Sequence, residues 1–275
     1  MIVIENLGFS YGSFPVLKNI CLKMEPGKIY GLLGENGVGK TTMLMLLAGL
    51  KKPCEGKIDI DGGDPYMRMP SLLGNQYYLS DDVLKSSLTA SVYAQQNGKF
   101  WPRFNYNVFL EILQIFEVEP SKRMDQMSTG QLKKTHLAFA LSLGCRYLFL
   151  DEPTNGLDIP SKAQFRKAVM TYMSDESTLV ISTHQVKDLE NIIDPIIIMD
   201  KMDILVIASL SEIAQKLYFD YGTVIRPDSM YSEQLPGGWI QVCPNPEGLE
   251  SKVNIEALFG AVHKNKELLR ELFLK

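Results

Sequence analysis

The chain has few of the residues that hold together disulfide-rich domains or metal centres. Its 275 residues include only four cysteines and three histidines. No two cysteines form a CxxC pair, and such scattered thiols suit a reducing compartment such as the cytosol. Cys21 and Cys145 lie within apolar segments, so we expect both thiols to be buried.

A long hydrophobic run is also missing. The most apolar stretch, residues 195–210, is interrupted by Asp200, Lys201 and Asp203 and is too short to cross a bilayer core of about 30 Å. Two strands joined by a turn are expected there instead. The first residues lack the basic segment and the apolar run of a signal peptide. We therefore predict a soluble protein that would meet a membrane only through a partner.

Positive charge is not in excess. The formal net charge is −4, so no overall basic field attracts nucleic acid, and no nucleic-acid partner is expected. The chain is 45% hydrophobic and 22% charged, which is ordinary for a globular protein.

Short β-rich runs alternate with helical patterns over most of the chain. Continuous apolar runs such as 147–150 and 178–182 indicate strands buried on both faces, as in a parallel sheet covered by helices. The opening residues, 2–24, indicate an antiparallel pair of strands. We therefore predict an α/β fold with a mostly parallel sheet and an antiparallel β-subdomain. Helical patterns lie at 40–50, 108–117, 131–143, 161–173, 186–193 and 255–274.

The pattern also predicts a domain organisation. We expect a main domain over residues 1–217, with a helical subdomain inserted at about 86–145. After residue 217 the sequence becomes richer in proline and in short strand patterns, which indicates a small C-terminal appendage over 218–275.

The strongest motif is GENGVGKT at residues 34–41, called the P-loop below, which matches GxxxxGK[ST] between a predicted strand and a predicted helix. Glycines let the main chain fold around phosphates with its N–H groups pointing inward, and the helix N-terminus favours an anion. Lys40 would contact the β- and γ-phosphates of ATP, and the Thr41 hydroxyl would bind Mg²⁺. A glycine-rich turn with a solvated lysine is the alternative. The candidate ATP-binding residues of this segment are Gly34, Glu35, Asn36, Gly37, Val38, Gly39, Lys40, Thr41 and Thr42.

A second motif, RYLFLDEPTNGLD, occupies residues 146–158. It places Asp151 and Glu152 at the carboxyl end of a buried strand, where open α/β sheets bind ligands. Asp151 is expected to hold Mg²⁺, directly or through water, and Glu152 to act as general base or to orient the attacking water. Paired carboxylates after a strand can instead mark a capped helix start, but the P-loop upstream favours the catalytic interpretation.

With these two motifs, residues 1–217 resemble the ATP-binding subunits of ABC transporters, whose fold is a P-loop NTPase. The segment MSTGQ at 127–131 resembles the family signature LSGGQ, with Thr129 in place of a glycine, and Ser128 can cap the following helix. The resemblance implies that two subunits enclose two ATP molecules, as a homodimer or as a heterodimer with a second ATPase subunit. The residues implied to contact the ATP of the other subunit are Ser128, Thr129, Gly130 and Gln131.

Four single positions resemble further family residues. Tyr11 is similar to the aromatic residue that stacks on adenine, and Asp158 to an aspartate that communicates across the dimer. His184 is similar to the switch histidine that contacts the γ-phosphate. Gln76 resembles a glutamine that contacts Mg²⁺ or water in catalysis, although the sequence around it departs from the family pattern.

The resemblance implies an energy-coupling subunit that is peripheral on the cytoplasmic face of a membrane and bound to an integral-membrane permease. Residues 100–109 and 253–262 also resemble ABC-2-type exporter ATPases, which predicts export. One alternative is a soluble ABC ATPase acting on nucleic acid or protein assemblies, but the chain shows no second cassette, long coiled coil or basic patch. Another is a binding module without hydrolysis, which is opposed by Lys40, Asp151, Glu152 and His184 together. The cargo is not encoded in this chain, because membrane helices elsewhere would select it.

Overall fold

The computed structural model describes residues 1–274, and Lys275, the last residue of the predicted appendage, lies outside the described residues. In chain order the strands are β1 (Ile2–Tyr11), β2 (Phe14–Met24), β3 (Ile29–Leu33), β4 (Glu55–Ile60), β5 (Gln76–Leu79), β6 (Tyr147–Asp151), β7 (Thr178–Thr183), β8 (Ile196–Asp200), β9 (Asp203–Ala208), β10 (Leu217–Gly222), β11 (Tyr231–Leu235) and β12 (Gly238–Pro244). The α-helices are α1 (Lys40–Leu47), α2 (Pro70–Leu73), α3 (Ala90–Gly98), α4 (Tyr106–Ile115), α5 (Thr129–Ser142), α6 (Ile159–Tyr172), α7 (Leu210–Lys216), α8 (Ile255–Lys264) and α9 (Lys266–Leu274).

A six-stranded sheet in the order β5-β6-β7-β3-β8-β9 forms the centre of the molecule. Its first five strands in this order run parallel, and β9 pairs antiparallel with β8. A second sheet, β2-β1-β4, is antiparallel. The predicted α/β fold is therefore confirmed, as is the pair of strands expected within 195–210.

The parallel strands bring their carboxyl ends to one edge of the sheet. β6 and β7 are buried along their whole length, which explains their unbroken apolar sequences. Tyr147 pairs with Thr178 and Asp151 with Ser182, so the residues that follow the two strands lie side by side. The loop after β3 opens at the same edge, because β3 pairs in parallel with β7.

The region predicted as a helical subdomain contains α3, α4 and α5. Each helix begins at a polar residue whose side chain accepts from the main chain, at Thr89, Asn105 and Ser128 respectively. All three contribute apolar side chains to a cluster that continues into the central sheet, including Ala94, Phe109 and Phe139.

The C-terminal segment adds a third, antiparallel sheet, β10-β12-β11, followed by α8 and α9. The side chains of Phe219, Val242 and Leu258 are buried in the same apolar cluster as Ile196 and Val206 of the central sheet. The predicted boundary at residue 217 thus marks a change of sheet but no break in the core.

Helix α8 also packs on a short 3-10 helix, Val186–Asp188, which follows β7. Lys187 forms an ion pair with Glu256 of α8 at 2.6 Å, and the Glu190 carboxylate lies 3.9 Å from the Lys252 ammonium group just before that helix. The C-terminal segment is therefore attached to the main-chain segment that begins at His184.

Three sequence predictions are corrected by the fold. The pattern at 186–193 forms only the 3-10 helix Val186–Asp188, and the Asp188 carbonyl oxygen accepts from Arg166 of α6 instead of continuing a helix. The pattern at 255–274 is divided at Asn265, whose backbone is not helical and whose side chain donates to the Met230 carbonyl oxygen. Cys21 is exposed, because alternate residues of β2 point to opposite faces, whereas Cys145 is buried as expected.

Among residues 1–274, no helix is both long enough and apolar enough to cross a membrane.

Candidate nucleotide-binding site

The loop between β3 and α1 borders a cleft of about 530 Å³ at the carboxyl edge of the central sheet. Its glycines are required by its shape. A Cβ atom on Gly34 would lie 2.7 Å from the Met199 carbonyl oxygen, and Gly37 and Gly39 have φ values of 84° and 109°. The loop therefore has the tight conformation that the motif predicts.

The Lys40 ammonium group points into this loop. It is 6% exposed and donates to the carbonyl oxygens of Gly34 at 2.7 Å and Glu35 at 3.0 Å. Its Nζ atom also lies 3.7 Å from Glu152 Oε1. Burial lowers the pKa of Lys40, while the charges of Glu152 and Asp151 oppose that shift. An anion in the loop would supply the counter-charge that this buried cation has only in part.

Asp151 ends β6 and is buried beside the cleft. One carboxylate oxygen accepts from the Ser182 hydroxyl at 2.5 Å and the other from the Tyr78 hydroxyl at 3.3 Å. Burial, assisted by the charge of Asp151, raises the pKa of Tyr78 to about 12, so this hydroxyl remains a donor at neutral pH. The two contacts fix the carboxylate at the strand end.

Glu152 and His184 line the cleft together. The His184 Nδ1 atom lies 2.9 Å from Glu152 Oε1, and the His184 amide donates to Glu152 Oε2 at 3.4 Å. Glu152 has a φ of 44°, a left-handed conformation that is uncommon for a residue with a side chain. Its amide donates to the carbonyl oxygen and the hydroxyl of Ser182, both at 3.1 Å.

Tyr11 lies at the mouth of the cleft. Its ring is 44% exposed, and its hydroxyl lies 3.4 Å from the Thr42 hydroxyl, beside the P-loop. The Lys51 ammonium group is 5.3 Å from the ring centroid. The ring thus presents an accessible aromatic surface next to the phosphate loop.

The residues of the signature segment and Asp158 do not line this cleft. Ser128 and Thr129 are exposed, and the Ser128 hydroxyl accepts from the Gln131 amide at 3.2 Å, while the Gln131 side chain accepts from the Ser128 amide at 3.3 Å. The expected cap of α5 is therefore confirmed. Asp158 caps α6 by accepting from the Ser161 amide at 2.9 Å.

The predicted position of Gln76 at the metal site is wrong. Gln76 is the first residue of β5, at the end of the parallel sheet opposite to the cleft. Its side chain is buried and donates to the Ala48 carbonyl oxygen at 3.1 Å.

The residue that follows the carboxyl end of β5 and lines the cleft is Asp81. Its carboxylate accepts from the Asn155 side chain at 2.9 Å and from Lys133 at 2.7 Å. The prediction missed Asp81, although the strand-end rule that singled out Asp151 applies equally to the residues after the apolar run of β5.

Comparison with known proteins identifies the family to which the chain belongs. The family model described as ABC transporter matches residues 17–155, just over half of the chain. The chain belongs to the ABC transporter family. It is an ATP-binding and ATP-hydrolysing subunit of the ABC type, and the matched segment includes the P-loop, Asp151 and Glu152.

Two curated proteins illustrate the relatives of this ABC ATPase. The probable sulfate/thiosulfate import ATP-binding protein CysA of Chlorella vulgaris is 30% identical over 220 residues, which cover 78% of this chain and 93% of that protein. The bacitracin transport ATP-binding protein BcrA of Bacillus licheniformis is 31% identical over 188 residues, which cover 67% of this chain and 61% of that protein.

A solved structure of a dimeric ATP-binding cassette in a post-hydrolysis state, bound to ADP and Pi, has the same fold. It matches this ABC ATPase with a TM-score of 0.67 and 23% identity, over 76% of this chain and 99% of that chain.

Proposed function

We propose that this ABC ATPase dimerises around two ATP molecules and powers export by a partner permease in the membrane. The observation that supports a dimer most directly is the division of the predicted site. Lys40, Asp151, Glu152 and His184 converge on one cleft, whereas Ser128 and Thr129 of the signature segment are exposed outside it. A second subunit would supply its signature segment to the cleft and complete the site.

The residues of the cleft suit ATP and Mg²⁺. The glycine loop and the buried ammonium group of Lys40 favour a polyphosphate, and the exposed Tyr11 ring offers a surface on which adenine would stack. The Thr41 hydroxyl and the Asp151 carboxylate are oxygen donors of the kind that Mg²⁺ prefers. When bound, Mg²⁺ would neutralise phosphate charge and polarise the terminal phosphoryl group.

Glu152 is the proposed general base. Its carboxylate lies between the Lys40 ammonium group and the His184 imidazole, so it faces the space where a terminal phosphate and an attacking water would lie. It would accept the proton of that water or orient it. The His184 imidazole would touch the γ-phosphate, where charge redistributes in the transition state.

The proposed dimer assigns roles to the exposed motif residues. Ser128, Thr129, Gly130 and Gln131 would present the N-terminus of α5 to the γ-phosphate held by the other subunit. Asp158 begins α6 on the exposed segment after Glu152, where it would contact the partner subunit across the interface. The structure is compatible with a homodimer or a heterodimer.

A second groove, which shares no lining residue with the cleft, is the proposed docking surface for the permease. It has a volume of about 480 Å³ and an apolar wall formed mainly by Leu50, Leu73, Tyr77, Phe100 and Trp101. We call it the Phe100 groove, because Phe100 is 68% exposed on its rim. Gln76 borders the groove as a buried residue, and its Oε1 atom has no hydrogen-bond partner among residues 1–274.

Docking on a permease would hold the subunit at the cytoplasmic face of the membrane. The relatives include an import protein and a bacitracin transport protein, and the proposed direction, export, rests on the resemblance of residues 100–109 and 253–262 to exporter ATPases.

Purification from membranes tests the proposed partner. The chain should copurify with an integral-membrane protein, and Phe100→Glu should reduce that copurification at least tenfold, because a charge would be buried in the apolar groove. Val224→Glu is a matched control, since Val224 is a comparably exposed apolar residue on the C-terminal segment. Copurification of a ribosome or nucleic acid, with no membrane protein, would refute the transport proposal and favour the soluble alternative.

A further inference from the structure

A buried lysine on α5 contacts two parts of the cleft. Lys133 is 3% exposed. Its ammonium group donates to the Asp81 carboxylate at 2.7 Å, to the Asp81 carbonyl oxygen at 3.0 Å and to the Glu152 carbonyl oxygen at 3.0 Å. The three acceptors match the three N–H groups of one ammonium group. Lys133 is not among the site residues predicted from the sequence motifs.

One of these contacts fixes the main chain of Glu152. A left-handed φ at a residue with a side chain is unfavourable and persists only where the surroundings hold it. The Glu152 amide is held by Ser182, and its carbonyl oxygen accepts from Lys133 and from the Asn155 amide at 3.1 Å. Because the Cα–Cβ direction follows from the main chain, these contacts set where the Glu152 carboxylate points.

The other contacts fix the residue after β5. Lys133 holds both the main chain and the carboxylate of Asp81, whose second oxygen accepts from the Asn155 side chain. A buried cation is strongly unfavourable unless it is fully paired, and here every N–H group has an acceptor. A compact ammonium group suits three acceptors around one point, whereas the planar guanidinium of arginine would not.

We propose that Lys133 is a positioning residue for ATP hydrolysis, which fixes Glu152 and Asp81 from the helix that begins at the signature segment. The proposal rests on the proposed function, in which Glu152 is the general base and the N-terminus of α5 meets the ATP of the other subunit. Lys133 then connects that contact to the catalytic carboxylate of its own subunit through one side chain.

Lys133→Met tests this role, because methionine keeps the length of the side chain and removes all three donors. We expect kcat per nucleotide-binding site to fall at least about tenfold, while the Kd for ATP stays within about threefold, since Lys133 contacts no residue of the P-loop. Lys134→Met is the matched control. The Lys134 ammonium group donates to the Phe116 carbonyl oxygen at 3.1 Å, away from the cleft, and this variant should keep kcat within about twofold.

Isothermal titration supplies the number of competent sites, so that a loss of folded protein does not count as a loss of kcat. If Lys133→Met does not fold, Lys133→Arg and Asp81→Asn replace it in a double-mutant cycle. Strongly non-additive losses of kcat support the proposal, because both changes break one network. Additive losses, or a kcat of Lys133→Met within about twofold of wild type, would overturn it. A wild-type protein without ATPase activity would refute the proposed function itself.

Discussion

At the scale of single residues, Lys40 has the most direct consequence for binding. Lys40→Ala should weaken ATP affinity at least about tenfold, because a hydrogen bond to a charged group contributes roughly 1.5–3 kcal/mol. Isothermal titration with ATP and Mg²⁺ measures the effect. Lys57→Ala, which removes an exposed lysine of β4, is the control and should bind normally. Near-normal affinity and turnover in Lys40→Ala would contradict the P-loop assignment.

Replacing Glu152 should separate ATP binding from ATP hydrolysis. Glu152→Gln should retain ATP binding and lose hydrolysis, because the amide still accepts and donates hydrogen bonds but does not take up the proton of water. The variant should then accumulate as an ATP-dependent dimer, which size-exclusion chromatography with light scattering detects. A monomeric and fully active Glu152→Gln protein would exclude Glu152 as the base.

The His184 side chain is expected to stabilise the transition state of hydrolysis more than the bound ATP. His184→Ala should lower kcat at least about a hundredfold and leave ATP affinity within a few-fold of wild type, because the imidazole would meet charge that develops during the reaction. Steady-state kinetics and titration together give the two numbers. Lys167→Ala, which removes an exposed lysine of α6, serves as the control and should leave kcat unchanged. An unchanged kcat in His184→Ala would mean that this histidine only ends its strand.

At the scale of elements, the N-terminus of α5 tests the divided site. Ser128→Arg should spare nucleotide binding by the monomer and block hydrolysis, because the bulky side chain would occupy the place where α5 meets the phosphate of the other subunit. Mixed with Lys40→Ala at high protein concentration, it should regain activity, since the heterodimer contains one intact P-loop facing one intact signature. Either variant alone provides the baseline. Hydrolysis by Ser128→Arg alone would show that one subunit forms a complete site.

Strand ends explain what could be predicted from the sequence. A buried apolar run delivers its following residues to the carboxyl edge of a parallel sheet, so Asp151 and Glu152 are expected at that edge, and the structure brings them, with the His184 that the family resemblance singled out, to the cleft beside the P-loop. Gln76 was assigned only by its resemblance to a family glutamine, and the structure places it instead at the start of β5, a strand of four partly exposed residues.

Tertiary contacts account for most of the other differences. Asn265, at the break, donates a hydrogen bond to Met230, and Lys133 has acceptors on the segments that follow β5 and β6. Hydrogen-bond partners so distant along the chain leave no local pattern in the sequence. Cys21 shows a simpler limit, because an apolar segment does not say which face of a strand is buried.

At the scale of the whole molecule, the C-terminal segment completes the core. A chain ending at Lys216 should unfold or aggregate, because it loses buried side chains such as Phe219, Val242 and Leu258. Each fully buried apolar side chain contributes about 1.5–3 kcal/mol, and several of them equal a typical total stability of about 5–15 kcal/mol. Thermal unfolding followed by circular dichroism measures this, with Val224→Ser as the exposed control. A cooperative, wild-type-like transition in the shortened chain would mean that residues 1–216 fold independently.

Because α8 packs on Val186–Asp188, we expect binding at the C-terminal sheet to be coupled to nucleotide binding. His184 lies two residues before that 3-10 helix, and Glu256 of α8 forms an ion pair with Lys187 within it. A molecule that bound the C-terminal sheet and shifted α8 would therefore move the wall of the ATP cleft and alter nucleotide affinity. By reciprocity, ATP would change the affinity of that molecule by the same factor, so the occupancy of each site would report on the other.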